Sequence, residues 1–134
     1  MTINFKLYKN PIKSIELKSK YNDENEFNEL VFITDNDVKF ILTACGDCCS
    51  VSLFSKYKQD FSELNGKIIK TIKEIELPDD YNYNHEEFYS FNDVITPHLY
   101  EITFTNSKNS FKFIMNNYSN GFYDGWIDSS VEEK

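Results

Sequence analysis

Two stretches of alternating apolar and polar residues dominate the chain. Over residues 99–105, Tyr100, Ile102 and Phe104 alternate with Glu101, Thr103 and Thr105. Over residues 110–116, Phe111, Phe113 and Met115 alternate with Lys112, Ile114 and Asn116. A period of two sends one set to a core face and the other towards water, so both read as strands. The turn chemistry of Asn106-Ser107-Lys108-Asn109 between them predicts a hairpin. A second hairpin is predicted from residues 30–34 and 38–44 around Asp35-Asn36-Asp37, with Val38, Phe40 and Leu42 on one face. Phe5, Leu7 and Tyr8 suggest a short first strand, and Ile12, Ile15 and Leu17 an edge strand after Pro11. Residues 50–54 read as another strand, and residues 18–29 as an exposed polar loop.

Residues 58–77 carry a competing signal. Phe61, Leu64, Ile68, Ile72 and Ile75 recur at helical spacing, but Asn65-Gly66 interrupts them. The preferred reading is a short helix over 58–65 followed by a strand over 67–77, and one continuous helix is the alternative. Pro97 is expected to precede the main hairpin, and the polar tail after Asp128 to fray. The expected class is α+β: one domain over 1–134, mostly antiparallel sheet with one or two short helices. Exposed edge strands make a homodimer an expected possibility.

Composition narrows the function classes. The 134 residues are 40% hydrophobic and 16% aromatic, enough for one real core. The net charge is −8, and all 14 basic residues are Lys. Without Arg there is no bidentate guanidinium grip on phosphate or carboxylate, and an acidic surface opposes direct nucleic-acid binding. No apolar run is long enough to span a bilayer, and the first residues lack a signal-peptide pattern. A cytoplasmic location without membrane contact is therefore expected. Five lysines between Lys6 and Lys20 form the one basic patch, most simply a solvated face.

Candidate chemistry is sparse. Cys45, Cys48 and Cys49 form a C-x-x-C-C cluster, with His85 and His98 far along the chain. Packing of buried thiols is the simplest account. Zinc binding and a reactive thiol paired with a histidine are the alternatives. With four glycines and no phosphate-loop, Gly-x-Ser-x-Gly or His-Glu-x-x-His motif, no catalytic residue, metal or cofactor is assigned. Ser119-Asn120-Gly121 is turn chemistry. Read functionally, Asn117, Ser119 and Asn120 supply neutral hydrogen bonds beside a wall of Tyr118, Phe122, Tyr123 or Trp126, which suits a nucleobase or ribose. The acidic stretches instead suit a basic protein partner.

Three segments carry a resemblance. Gly46-Asp47-Cys48-Cys49-Ser50-Val51, then Asp60-Phe61-Ser62-Glu63-Leu64-Asn65-Gly66, then Ser119-Asn120-Gly121-Phe122-Tyr123 resemble an uncharacterised family of small phage and bacterial proteins. Its members carry Asp-Cys-Cys-Glu, Asp-Leu-x-x-Leu-x-Gly and Ser-Asn-Gly-Tyr-Tyr segments. Ser50 and Phe122 depart from that pattern, and a hydroxyl in place of the family's carboxylate at 50 weakens a catalytic reading there. Residues 30–128 form the family-like core, 1–29 the N-terminal strands and loop, and 129–134 the tail. The resemblance implies an accessory gene of a phage or mobile element acting against, or within, bacterial defence. Taken together, the expectation is a non-catalytic inhibitor or sponge in the host bacterial cytoplasm, holding a nucleotide-like signal or a basic protein surface. The expected ligand-binding residues are Asp47, Cys48, Asn117, Ser119, Asn120, Tyr123 and Trp126. The rivals are a cysteine- or zinc-dependent enzyme and a structural assembly protein.

Overall fold

Two antiparallel sheets face each other in the computed structural model, which describes residues 2–4, 9–20, 25–47, 50–79, 81, 94–119 and 124–133. In chain order the strands are β1 (Thr2–Asn4), β2 (Ile12–Lys18), β3 (Glu26–Phe27), β4 (Glu29–Thr34), β5 (Lys39–Gly46), β6 (Val51–Lys56), β7 (Ile69–Ile75), β8 (Val94–Phe104), β9 (Phe111–Ser119) and β10 (Gly125–Glu132). The six-stranded sheet runs β1-β7-β8-β9-β6-β3, and the four-stranded sheet runs β10-β5-β4-β2.

The expected α+β class is overturned. Among the described residues there is no α-helix, and the only helical turn is a 3-10 turn at Phe61–Leu64. The physical reason lies at residues 60–75. Asp60 and Glu63 form a capping box that starts the turn, with the Asp60 side chain accepting from the Ser62 N–H and Glu63 accepting from the Asp60 N–H. The helix stops after one turn at Asn65, whose backbone is already extended, and Gly66 at φ of +83° completes the turn into the next strand. The isoleucines beyond it continue as β7. A register shift between Ile69 and Thr71 buries both Ile69 and Ile72, so a bulge satisfies a spacing of three that an ideal strand cannot.

Both hairpins form as expected. β8 and β9 pair through Ile102↔Phe111, Tyr100↔Phe113 and His98↔Met115. β4 and β5 pair around a turn in which Asp37 takes positive φ and the Thr34 N–H bonds the Val38 carbonyl. β2 is the expected edge strand. The expected strand at Phe5, Leu7 and Tyr8 lies outside the described residues.

Four local expectations are corrected. β8 begins at Val94, so Pro97 sits within it. Pairing with β7 ends at Leu99↔Ile75, so β8 has a partner on one side only at Pro97, and a missing N–H is tolerated there. The stretch 18–29 is not all exposed loop, because β3 buries Glu26 and Phe27 against β6. The tail does not fray: β10 pairs with β5 through Glu132↔Lys39. The polar side of β9 is not solvated either, since Ile114 and Asn116 are buried along with Phe113 and Met115.

The core lies between the sheets. Phe54, Phe61, Ile72, Tyr100, Ile102, Phe111, Phe113 and Met115 meet Ile12, Leu30, Phe32, Phe40, Leu42 and Ile127. Tyr100 stacks on Phe113 at 5.5 Å, and Phe54 meets Phe113 edge-on at 5.6 Å. On the other face of the larger sheet, Leu53, Leu99, Ile114 and Tyr118 are buried as well, and the Tyr118 hydroxyl donates to the buried Glu26 carboxylate at 2.6 Å.

Candidate functional site

At one end of the sandwich the core turns polar. Beyond Met115, β9 continues the same inward face with Asn117 and Ser119, and β6 opposes Asn117 with Ser52. All three are buried. Asn117 Nδ2 donates to Ser52 Oγ at 3.0 Å, while Asn117 Oδ1 is buried without a hydrogen-bond partner. Gly125 lets the second sheet close over this patch. Gly46 and Gly125 face each other across β5 and β10. A Cβ on Gly125 would collide with Ser52 Oγ and lie 2.9 Å from the Cys45 carbonyl, and a Cβ on Gly46 would collide with Ser50 Oγ.

A histidine bound by two carboxylates ties the sheets together beside this patch. His98 on β8 engages Glu74 of β7 through Nδ1 and Asp124 through Nε2, each at 3.0 Å. Asp124 immediately precedes β10, so the bridge joins the larger sheet to the edge of the smaller one. Its position is fixed from both sides: Asp124 Oδ1 accepts the Gly125 N–H at 2.8 Å, and its carbonyl accepts the Asp47 N–H at 3.3 Å. Burial disfavours the imidazolium, but hydrogen bonds and charge from Glu74 and Asp124 outweigh it and raise the His98 pKa above its ordinary value. The neighbouring Tyr100 hydroxyl is pushed well above its usual range by burial, and further by the charges of Glu74 and Asp124, so it stays a neutral donor to Glu74.

This geometry does not resemble a nucleophile–base pair. Both ring nitrogens of His98 are held by carboxylates, and neither meets a thiol or hydroxyl. The Cys45 thiol, on β5, donates to Asp128 Oδ2 at 3.4 Å. Burial raises its pKa, as do the hydrogen bond to Asp128 and that residue's charge, which keeps it protonated and a poor nucleophile. Among the described residues no group of three or more His, Cys, Asp and Glu is arranged to hold a metal ion. None of them forms a helix long and apolar enough to cross a membrane.

Of the residues expected to bind a ligand, Asp47, Asn117, Ser119 and Trp126 come to this end of the molecule. Asp47 is exposed, Asn117 and Ser119 are buried, and Trp126 is 41% exposed on β10. Cys48, Asn120 and Tyr123 lie outside the described residues, as do Cys49 and His85. Sequence reasoning missed Glu74 and Asp124 as partners of His98. The available signal was a histidine in register with Tyr100 and Ile102 on an inward face, where a polar group needs partners. Nothing in the spacing identifies which carboxylates those are.

No family model matches the chain, and no solved structure matches it. The phage and bacterial resemblance of the short segments thus has no matching family model behind it. An uncharacterised protein of Acanthamoeba polyphaga mimivirus is 31% identical over 129 residues, covering 93% of this chain and 90% of the relative. At that identity and coverage, the chain belongs to the family of this uncharacterised mimivirus protein.

Proposed function

We propose that the chain is a non-catalytic binding protein of viral or mobile-element type. In this reading it works in the host cytoplasm by sequestering a host-derived target, and that target is a basic protein surface. One observation carries the choice: Glu74 and Asp124 both bind His98, the exposed Asp47 is tied to Asp124 through its backbone N–H, and none of the residues named at this site is a lysine. Carboxylates repel a phosphate and attract lysine or arginine, so the nucleotide-like ligand becomes the weaker version. The net charge of −8 acts in the same direction at longer range. The held histidine and the protonated Cys45 argue for binding over catalysis. The mimivirus relative supports a viral setting.

The test uses Trp126, the single tryptophan of the chain, as its reporter. Its emission is followed while a lysine-rich peptide, and separately a panel of nucleotides, is titrated into the protein. The expected result is a saturable change with the peptide that weakens steeply with added salt, is lost in Asp47→Asn/Asp124→Asn, and is not produced by nucleotides. Saturable nucleotide binding with no peptide response would overturn the reading.

A further inference from the structure

Among the described residues the sheets end on four edges, and three of them are blunted. β1 and β3 have three and two residues. β2 follows Pro11, carries Lys13 and Lys18, and has a register shift between Ile12 and Ser14. Short strands, lysines and bulges are the usual means of keeping an edge from recruiting another strand. β10 has none of them. It runs eight residues, pairs with β5 without a register shift, and contains neither proline nor lysine. Among the described residues no strand pairs with its outer side. Every residue from Asp128 to Glu132 is exposed, and Trp126 and Val131 are each 41% exposed.

We propose that the β10 edge receives an extended, lysine- or arginine-rich segment of a partner protein as an added strand. This rests on the basic-partner reading above and specifies how the partner is held. The charge on the edge selects the occupant. Residues 124–133 contain Asp124, Asp128, Glu132 and Glu133 and no basic residue. Along β10, Trp126, Asp128, Ser130 and Glu132 alternate with Ile127, Ser129 and Val131. An added strand therefore meets a carboxylate and indole row on one face and, on the other, a row in which Ile127 and Val131 flank Ser129. Basic side chains alternating with apolar ones match both rows, and opposite charges across neighbouring strands stabilise the pairing. A second copy fits less well. Pairing β10 with β10 sets like charges against each other, and pairing it with β2 meets the bulge and makes a head-to-tail contact that does not close.

The probe is a short peptide alternating lysine and valine, compared with the same peptide N-methylated at every backbone amide. The charge is unchanged by methylation, while the donors a strand needs are removed. Trp126 emission reports binding of each to the full chain. The expected result is that methylation weakens binding by about tenfold or more, and that Ser130→Lys/Glu132→Lys weakens the parent peptide by a similar factor with an unchanged unfolding midpoint. Equal affinity of the two peptides would overturn strand addition while leaving the basic-partner reading intact. Absence of binding by both at low salt would overturn that reading as well. A concentration-dependent dimer of the free protein, abolished by Ser130→Lys/Glu132→Lys, would assign the edge to a second copy and also overturn the proposal. The methylation arm uses the unaltered protein, so it decides the matter even if the charge-reversed variant does not fold.

Discussion

The two halves of β9 have the same backbone geometry and different purposes. From Phe111 to Met115 the inward positions are apolar and lie in the middle of the inter-sheet core, with Phe113 between Tyr100 and Phe54. From Asn117 to Ser119 the inward positions are amide and hydroxyl, equally buried, with Asn117 opposite Ser52 and Gly125 close against both. Burial is alike, so the difference is chemical. The first half gains from removing apolar surface from water. The second half carries an amide oxygen without a partner, and beside it on β8 stands a histidine held by two carboxylates. The apolar half supplies stability, and the polar half keeps groups in place at a cost that packing elsewhere offsets.

That contrast is open to direct attack by mutation. Phe113→Ala removes the ring at the centre of the aromatic cluster and is expected to lower unfolding free energy by about 3–5 kcal/mol in urea titrations. A loss under 1 kcal/mol would mean the core half is not where stability resides. Tyr118→Phe deletes the hydroxyl that donates to the buried Glu26 carboxylate at 2.6 Å, at an expected cost of about 1–3 kcal/mol. Asn117→Ala sacrifices the bond to Ser52 but also removes the unpartnered oxygen, so its cost is expected to be about 1 kcal/mol or less. If it proved as damaging as Phe113→Ala, the two halves would be alike in kind.

The smallest effect is a dependence on pH. The folded-state pKa of His98 is raised above 6.5, because the two carboxylates outweigh burial. Its contribution to stability is therefore fully present below about pH 6.5 and disappears as pH rises through the folded value. The difference in unfolding midpoint between the natural protein and His98→Gln is expected to shrink from about pH 6 to about pH 8.5. A difference constant across that window would mean that His98 is not protonated in this bridge. Because the bridge lies near the surface, solvent screening keeps the effect modest.

Much of the strand layout is legible from local patterns. Alternation around Tyr100 and Phe113, and turn residues at Asp35–Asp37, are enough to position both hairpins. The stop at Asn65-Gly66 is legible as well, and with it β7. The class is not legible, because Phe61 and Leu64 look like the start of a helix, whereas Asn65 turns extended after one turn and Gly66 at positive φ completes the reversal. Burial on both faces of β9 is illegible, since a strand's own alternation says nothing about what covers its second face. The site is half legible. Asp47, Asn117, Ser119 and Trp126 are recognisable as polar and aromatic residues at strand ends. The Glu74–His98–Asp124 bridge is not, because it depends on the β7–β8 register and on the start of β10 packing against the larger sheet at Gly125.

The measurement closest to the central claim is amide chemical-shift mapping of the full chain during titration with the lysine–valine peptide, at low and at high salt. The account predicts shifts concentrated at residues 45–47, 117–119 and 124–133, strongly reduced at high salt, with β2 and the Phe61–Leu64 turn unaffected. Shifts centred on β2 or on that turn, or a pattern indifferent to salt, would contradict it.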